Sequence, residues 1–271
     1  MVREVRGARL LAAPRAFLAS RAAAARQPAL GGRFALEVFS GCARLSRAFA
    51  ENGLDAQAWD TADAVWADVL QDDVFKRLSC LIENGEALVL WLGTPCQSFT
   101  AARKNDGLGP GPLRSPAFPL GLPGLRGHDA VAVSTGNRLA ECSARLFRHA
   151  HGRGAIACIE NPATSYLWQH PSIAGLLRLQ NVVLVTLHYC QFGERWKKPT
   201  SLMVANAPAM HAVALTCESS RGICSATGCH HIQLRGRDPT GTFWTLRAQP
   251  YPTKLCQLIA STILQQLKER S

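Results

Sequence analysis

The sequence predicts an α/β fold built on an open parallel sheet with helices on both faces. Two observations carry this. From residue 34 onward, short apolar runs alternate with stretches whose apolar residues recur at helical spacing. Residues able to do chemistry (Gly41, Asp60, Cys96 and Glu160) each fall just after one of the apolar runs. Open sheets of this kind hold ligands outside the carboxyl ends of their strands.

The elements follow in order. FALEVFS is strand-like, rich in branched and aromatic residues, and ends at Gly41. CARLSRAFAENG places Leu45, Phe49 and its alanines on one helical face and stops at Gly53. DAQAWD is a short strand, DDVFKRLSCLIENG a helix with a glycine stop, and ALVLWLG a strand apolar throughout. A continuous apolar run of that length suits a central strand covered on both faces. Residues 129–151 read as a helix, AIACIE as a strand, PSIAGLLRLQ as a helix, VVLVTLHYC as a strand, and YPTKLCQLIASTILQQLKER as the final helix. Strand–helix alternation winds such a sheet with helices on both sides.

Three segments break the alternation. Residues 1–33 carry seven arginines and a single acid, Glu4. They read as an organelle transit segment, a disordered basic arm that touches phosphates, or a translated flank with no role, in each case outside the fold. Residues 105–127 are rich in Gly and Pro, and a structureless loop that long is either functional or disordered. Residues 205–250 hold a Cys/His group and many turn residues, and read as a small inserted lobe. The expected organisation is thus an outlying segment at 1–33, a catalytic domain at 34–204, the lobe at 205–250, and a returning helix at 251–271.

The formal net charge is +11, from 30 Lys+Arg against 19 Asp+Glu. An excess of that size favours polyanionic partners, because each phosphate neutralised releases condensed counterions. No apolar run is long enough for a membrane span. The ten cysteines are scattered and several sit inside apolar runs, as reduced thiols do. The expected compartment is intracellular and reducing, the nucleus in particular, and a monomer is assumed.

Candidate residues each have a plain alternative. Asp60 can accept hydrogen bonds from a ribose, or cap the helix that follows. No GxGxxG accompanies it, which disfavours a dinucleotide and leaves a nucleoside cofactor without phosphates. Cys96, in GTPCQSFT, is a nucleophile on a tight turn or a structural thiol. The polar Gln97, Ser98 and Thr100 beside it favour the first. Glu160, in CIENPATSYLW, is a proton donor with a raised pKa or part of an Asn-Pro turn. Zinc could be held by Cys217, Cys224, Cys229 and His231. The spacing CESSRGICSATGCHH lacks paired CxxC elements, so a polar loop with incidental thiols is the preferred reading.

Together these segments resemble the C5-cytosine DNA methyltransferase family over about residues 35–265. LEVFSGCARLSRAF is similar to its cofactor loop, GTPCQSFT to its Pro-Cys-Gln motif and IENPATS to its Glu-Asn motif. YCQFGERWKKPTSLMV resembles its basic motif, and YPTKLCQLIASTIL its closing helix. The resemblance implies a Rossmann-like methyltransferase fold that binds S-adenosylmethionine, a small lobe that recognises the target, and DNA as the partner, with RNA as the alternative. It implies Cys96 as nucleophile, Glu160 as the group that protonates the base, and Arg195 and Lys197 as contacts to ring or phosphate. It implies Phe39, Ser40, Gly41, Asp60, Asp68 and Pro95 around the cofactor, and base flipping into the pocket under a closing loop at 101–127. Ala43 stands where the family has a second glycine, Thr94 where it has proline, Pro162 where it has valine, and ERWKK where it has Gln-x-Arg-x-Arg. These departures keep two other readings in play: a nucleic-acid-binding member without catalysis, and an unrelated hydrolase pairing Cys96 with a histidine.

Overall fold

A strand buried on both faces needs apolar residues of both parities, and ALVLWL, Ala87–Leu92, has them. In the computed structural model Leu90 and Leu92 enter one core layer while Val89 and Trp91 enter the other. Burying each such side chain contributes roughly 1.5–3 kcal/mol, so both layers draw substantial stability from this one strand. The structure describes residues 15–17, 32–61, 67–103 and 110–270.

The described residues form a seven-stranded sheet. Its strands are β1 Arg15–Phe17, β2 Phe34–Val38, β3 Ala56–Trp59, β4 Ala87–Leu92, β5 Ile156–Pro162, β6 Val182–His188 and β7 Pro199–Ala205, in the order β1-β3-β2-β4-β5-β7-β6. Neighbours among β3, β2, β4 and β5 run parallel, while β7 runs antiparallel to both β5 and β6. The helices α1 Arg44–Glu51 and α6 Thr253–Arg270 pack on one face. The helices α2 Asp72–Glu83 and α3 Gly127–Gly152 pack on the other. This is the doubly wound α/β arrangement expected, a Rossmann-like fold with one antiparallel strand inserted in the sheet. Two short helices, α4 Pro171–Ala174 and α5 Trp244–Arg247, complete the regular elements.

Four details differ from expectation. β7 was hidden by the basic run before it and by Pro199, yet it sits inside the sheet; its proline is the first residue, where no ladder donor is needed. Because β7 separates β5 from β6, the sheet is mixed rather than all parallel. PSIAGLLRLQ is not one helix but a four-residue α-turn followed by a 3-10 turn at Gly175–Arg178. Residues 15–17 lie in the sheet rather than outside it, pairing antiparallel with β3. The rest of 1–33 apart from residues 32 and 33, and part of the 105–127 loop, lie outside the described residues.

Residues 110–126 are pinned to α3. Arg114 is buried and donates to the carbonyls of Ser98, Pro119 and Val133, to Ser98 Oγ and to Asn137 Oδ1. Its guanidinium also lies 3.8 Å over the Phe99 ring. Arg114, midway along the loop expected to close over the site, is thus held to α3. No described helix is long and apolar enough to cross a membrane.

Candidate active site

The carboxyl ends of β2, β3, β4 and β5 and the start of antiparallel β7 meet at one edge of the sheet. A cavity of about 630 Å³ opens there. That volume falls in the range of small-molecule sites. Its lining includes Phe39, Ser40, Gly41 and Asp60 from the ends of β2 and β3, Pro95 and Cys96 from the turn after β4, Glu160 from β5, and Lys198 from just before β7.

Each wall has a local cause. After β2 the chain turns through left-handed backbone at Phe39 (φ 60°), Gly41 (φ 52°) and Ala43 (φ 53°). Left-handed backbone costs a non-glycine residue about 1–2 kcal/mol, so the tight turn is held by its surroundings. Asp60 Oδ2 accepts from the Gly41 N–H at 2.8 Å, which ties the end of β3 to this loop. Arg15 Nη2 donates to the Gly41 carbonyl at 2.8 Å from the edge strand. Nothing lies within 4 Å of where a Cβ on Gly41 would sit, so the loop has open space beside it.

The turn after β4 is fixed from two sides. Asn161, fully buried at the end of β5, donates its amide to the Thr94 carbonyl at 2.6 Å. Arg114 holds Ser98 from the far side. Cys96 between them is half-buried and lines the cavity. A Cβ on Gly93 would lie 2.7 Å from the Tyr251 hydroxyl and 2.9 Å from the Phe39 carbonyl, so only glycine fits where the two walls meet.

Glu160 is buried, and burial raises its pKa. Lys198 and a hydrogen bond from the Tyr251 hydroxyl to Oε2, 3.1 Å, oppose that rise. Burial also raises the Cys96 thiol, as does the Glu160 charge, while Lys198 lowers it. Burial lowers Lys198 itself, while Glu160, Cys96 and Glu194 raise it. The Lys198 ammonium donates to the Ala248 carbonyl at 2.7 Å and sits 4.4 Å over the Tyr189 ring. Two acids facing one cation favour a state that keeps one shared proton.

The predicted residues divide accordingly. Phe39, Ser40, Gly41, Asp60, Pro95, Cys96 and Glu160 line the one cavity. Asp68, Arg195 and Lys197 do not. Asp68 Oδ1 accepts from the Leu70 N–H in its own turn before α2. Arg195 is exposed. Lys197 donates to Ser219 Oγ at 3.0 Å, toward the inserted lobe. Lys198 lines the cavity where Lys197 was expected; its backbone is left-handed (φ 29°) just ahead of β7, so the chain turns between the two lysines. β7 runs antiparallel, so its first residues share the edge with the last residues of β5, where Pro162 pairs with Thr200. Tyr251, just before α6, was also missed, and its sequence context carries no sign of its role.

No family model matches the sequence, and no curated protein matches it. Among solved structures, a methyltransferase of Entamoeba histolytica, EhMeth, is similar with a TM-score of 0.38 and 13% identity. The likeness covers 77% of this chain and 63% of that one, so this chain spans less than two thirds of its length.

Proposed function

We propose that the chain transfers a methyl group from S-adenosylmethionine to C5 of cytosine in DNA, with Cys96 as the covalent nucleophile. The observation that carries this reading is the shared cavity, which Cys96, Glu160 and Lys198 line together with Asp60 and the Phe39–Gly41 turn. The cofactor end fits such a group. A carboxylate beside a strand-end turn suits a ribose, and the open space at Gly41 lets a ligand approach the backbone closely. S-adenosylmethionine, when bound, supplies an electrophilic methyl group.

The chain's own residues do the rest. Lys198 balances one negative charge; the reactive form is the tautomer with that charge on the Cys96 sulfur and the proton on Glu160, reached from the thiol–carboxylate form that burial of Cys96 favours. The thiolate adds to C6 of the cytosine while Glu160 gives its proton to N3, which makes C5 nucleophilic. After methylation at C5, the C5 proton leaves to solvent and the Sγ–C6 bond breaks. The N3 proton returns to Glu160, and Cys96 is again a thiolate. The net charge of +11 favours a nucleic-acid substrate, whose target base must leave the stack to reach this pocket.

The test uses duplex oligonucleotides carrying 5-fluorocytosine, because fluorine cannot leave as a proton and the adduct persists. A denaturation-resistant complex is expected with the wild type and cofactor, and none with Cys96→Ser. A parallel RNA arm separates the two substrates. Absence of both adduct and methyl transfer on DNA and RNA would overturn the reading.

A further inference from the structure

Between residues 214 and 247 the inserted lobe has almost nothing apolar to hold it. Among the described residues, only Cys217 and Cys224 are buried between 214 and 247, while Leu215, Ile223, Phe243 and Leu246 are exposed. A segment of this size without a core needs a covalent or metal staple. Cys217, Cys224 and Cys190 form a small buried cluster of their own. Cys190 lies not in the lobe but in the turn Tyr189–Phe192 that follows β6.

His231 joins them. The ligand atoms of Cys190, Cys217, Cys224 and His231 all lie within 4.8 Å of one another. Cys217 Sγ is 3.9 Å from Cys224 Sγ and 3.8 Å from His231 Nε2. These separations are too long for a disulfide. The two Cys217 separations lie close to the edges of a tetrahedron around zinc, roughly 3.5–3.8 Å for bonds of about 2.3 Å to sulfur and 2.0–2.1 Å to nitrogen, and the 4.8 Å limit on the rest lets the set contract onto one ion. The Ser225 N–H and Oγ both point at Cys217 Sγ at 3.4 Å, and Gln191 Nε2 points at Cys190 Sγ at 3.8 Å. Donors aimed at sulfur are the outer-shell pattern that steadies metal-bound thiolates.

We propose that Cys190, Cys217, Cys224 and His231 bind one zinc ion as a closed structural site. Each thiol gives up its proton on binding, and four protein ligands leave no position for catalysis. Cys229, the ligand its spacing suggested, is exposed and outside the cluster. Its place is taken by Cys190, so the metal clamps the lobe to the sheet. The clamp falls next to Tyr189, whose ring carries Lys198. This site stands apart from the cavity chemistry and does not depend on it.

The test is the metal content of the purified full-length chain by mass spectrometry, followed by cobalt exchange. One zinc per chain is expected, with the visible absorption of tetrahedral cobalt and sulfur-to-cobalt charge transfer after exchange. Cys190→Ser and Cys224→Ser should lower zinc content severalfold, and Cys229→Ser should leave it unchanged. No zinc above buffer background, or an octahedral cobalt spectrum, overturns the site. If Cys229→Ser loses zinc and Cys190→Ser keeps it, the assignment of Cys190 is overturned. The wild-type measurements decide the case even where a variant fails to fold.

Discussion

Tyr251 donates its hydroxyl to Glu160 Oε2 at 3.1 Å and accepts from Trp91 Nε1 at 3.1 Å, joining the segment before the last helix to two central strands. Removing that hydroxyl takes away a bond that favours the carboxylate, so the Glu160 pKa rises further. For Tyr251→Phe the alkaline limb of the methyl-transfer pH profile is expected to move to higher pH. Trp91 loses its acceptor, so stability should fall by about 1–3 kcal/mol in urea unfolding. An unmoved pH limb would remove Glu160 from the proton transfer.

Lys198→Met keeps the length of the side chain and deletes its charge. The Cys96 thiol should then titrate at higher pH, since Lys198 lowers it. A rise of one unit cuts the thiolate fraction about tenfold at neutral pH. Alkylation of Cys96 by iodoacetamide, followed by peptide mass spectrometry, should slow accordingly. Equal rates in the two proteins would mean that Lys198 does not act on the thiol.

Arg114→Lys should not behave as a conservative change. A single ammonium cannot reach Ser98, Pro119, Val133 and Asn137 together or lie flat on Phe99. Buried acceptors left without donors cost about 1–3 kcal/mol each. The expected loss is about 2–4 kcal/mol, a Tm lower by roughly 5–10 °C in calorimetry. Because Arg114 grips the Cys96 turn through Ser98, faster alkylation of Cys96 should accompany the loss.

Glu37 sits in the middle of β2, fully buried, accepting from the Ser46 N–H and Oγ. Burial raises its pKa to about 7. Its folded pKa lies above the unfolded one, so the native state holds the proton longer. The contribution of Glu37 to stability is fullest below about pH 4.5 and declines as pH rises to about 7, by roughly 3 kcal/mol. Glu37→Gln should remove this decline and leave the variant more stable than the wild type at pH 8. Parallel denaturation curves from pH 5 to 8 in both proteins would contradict it.

The strands that carry Cys96 and Glu160 were legible because apolar runs mark strands and their ends mark where ligands bind. The same logic found Gly41 and Asp60. Lys198 was off by one, since composition shows a basic run but not which member turns inward. Cys190 escaped because it follows a strand, far upstream of the Cys/His loop, and only the sheet brings the two together. β7 and β1 owe their places to pairing with distant segments, which no local pattern records. Arg114 was invisible for a similar reason, since a buried arginine in a Gly/Pro-rich stretch reads as loop surface until α3 is packed against it.

The short strand Arg15–Phe17 has a practical reach beyond its three residues. It covers the rim of β3, and Arg15 holds the Ser40–Gly41 turn from outside. A protein begun at residue 34 would leave the backbone of Ala56–Trp59 unpaired on its outer side, a template for docking a second copy edge to edge. Trimming the basic leader would therefore trade solubility for self-association while loosening the loop beneath it.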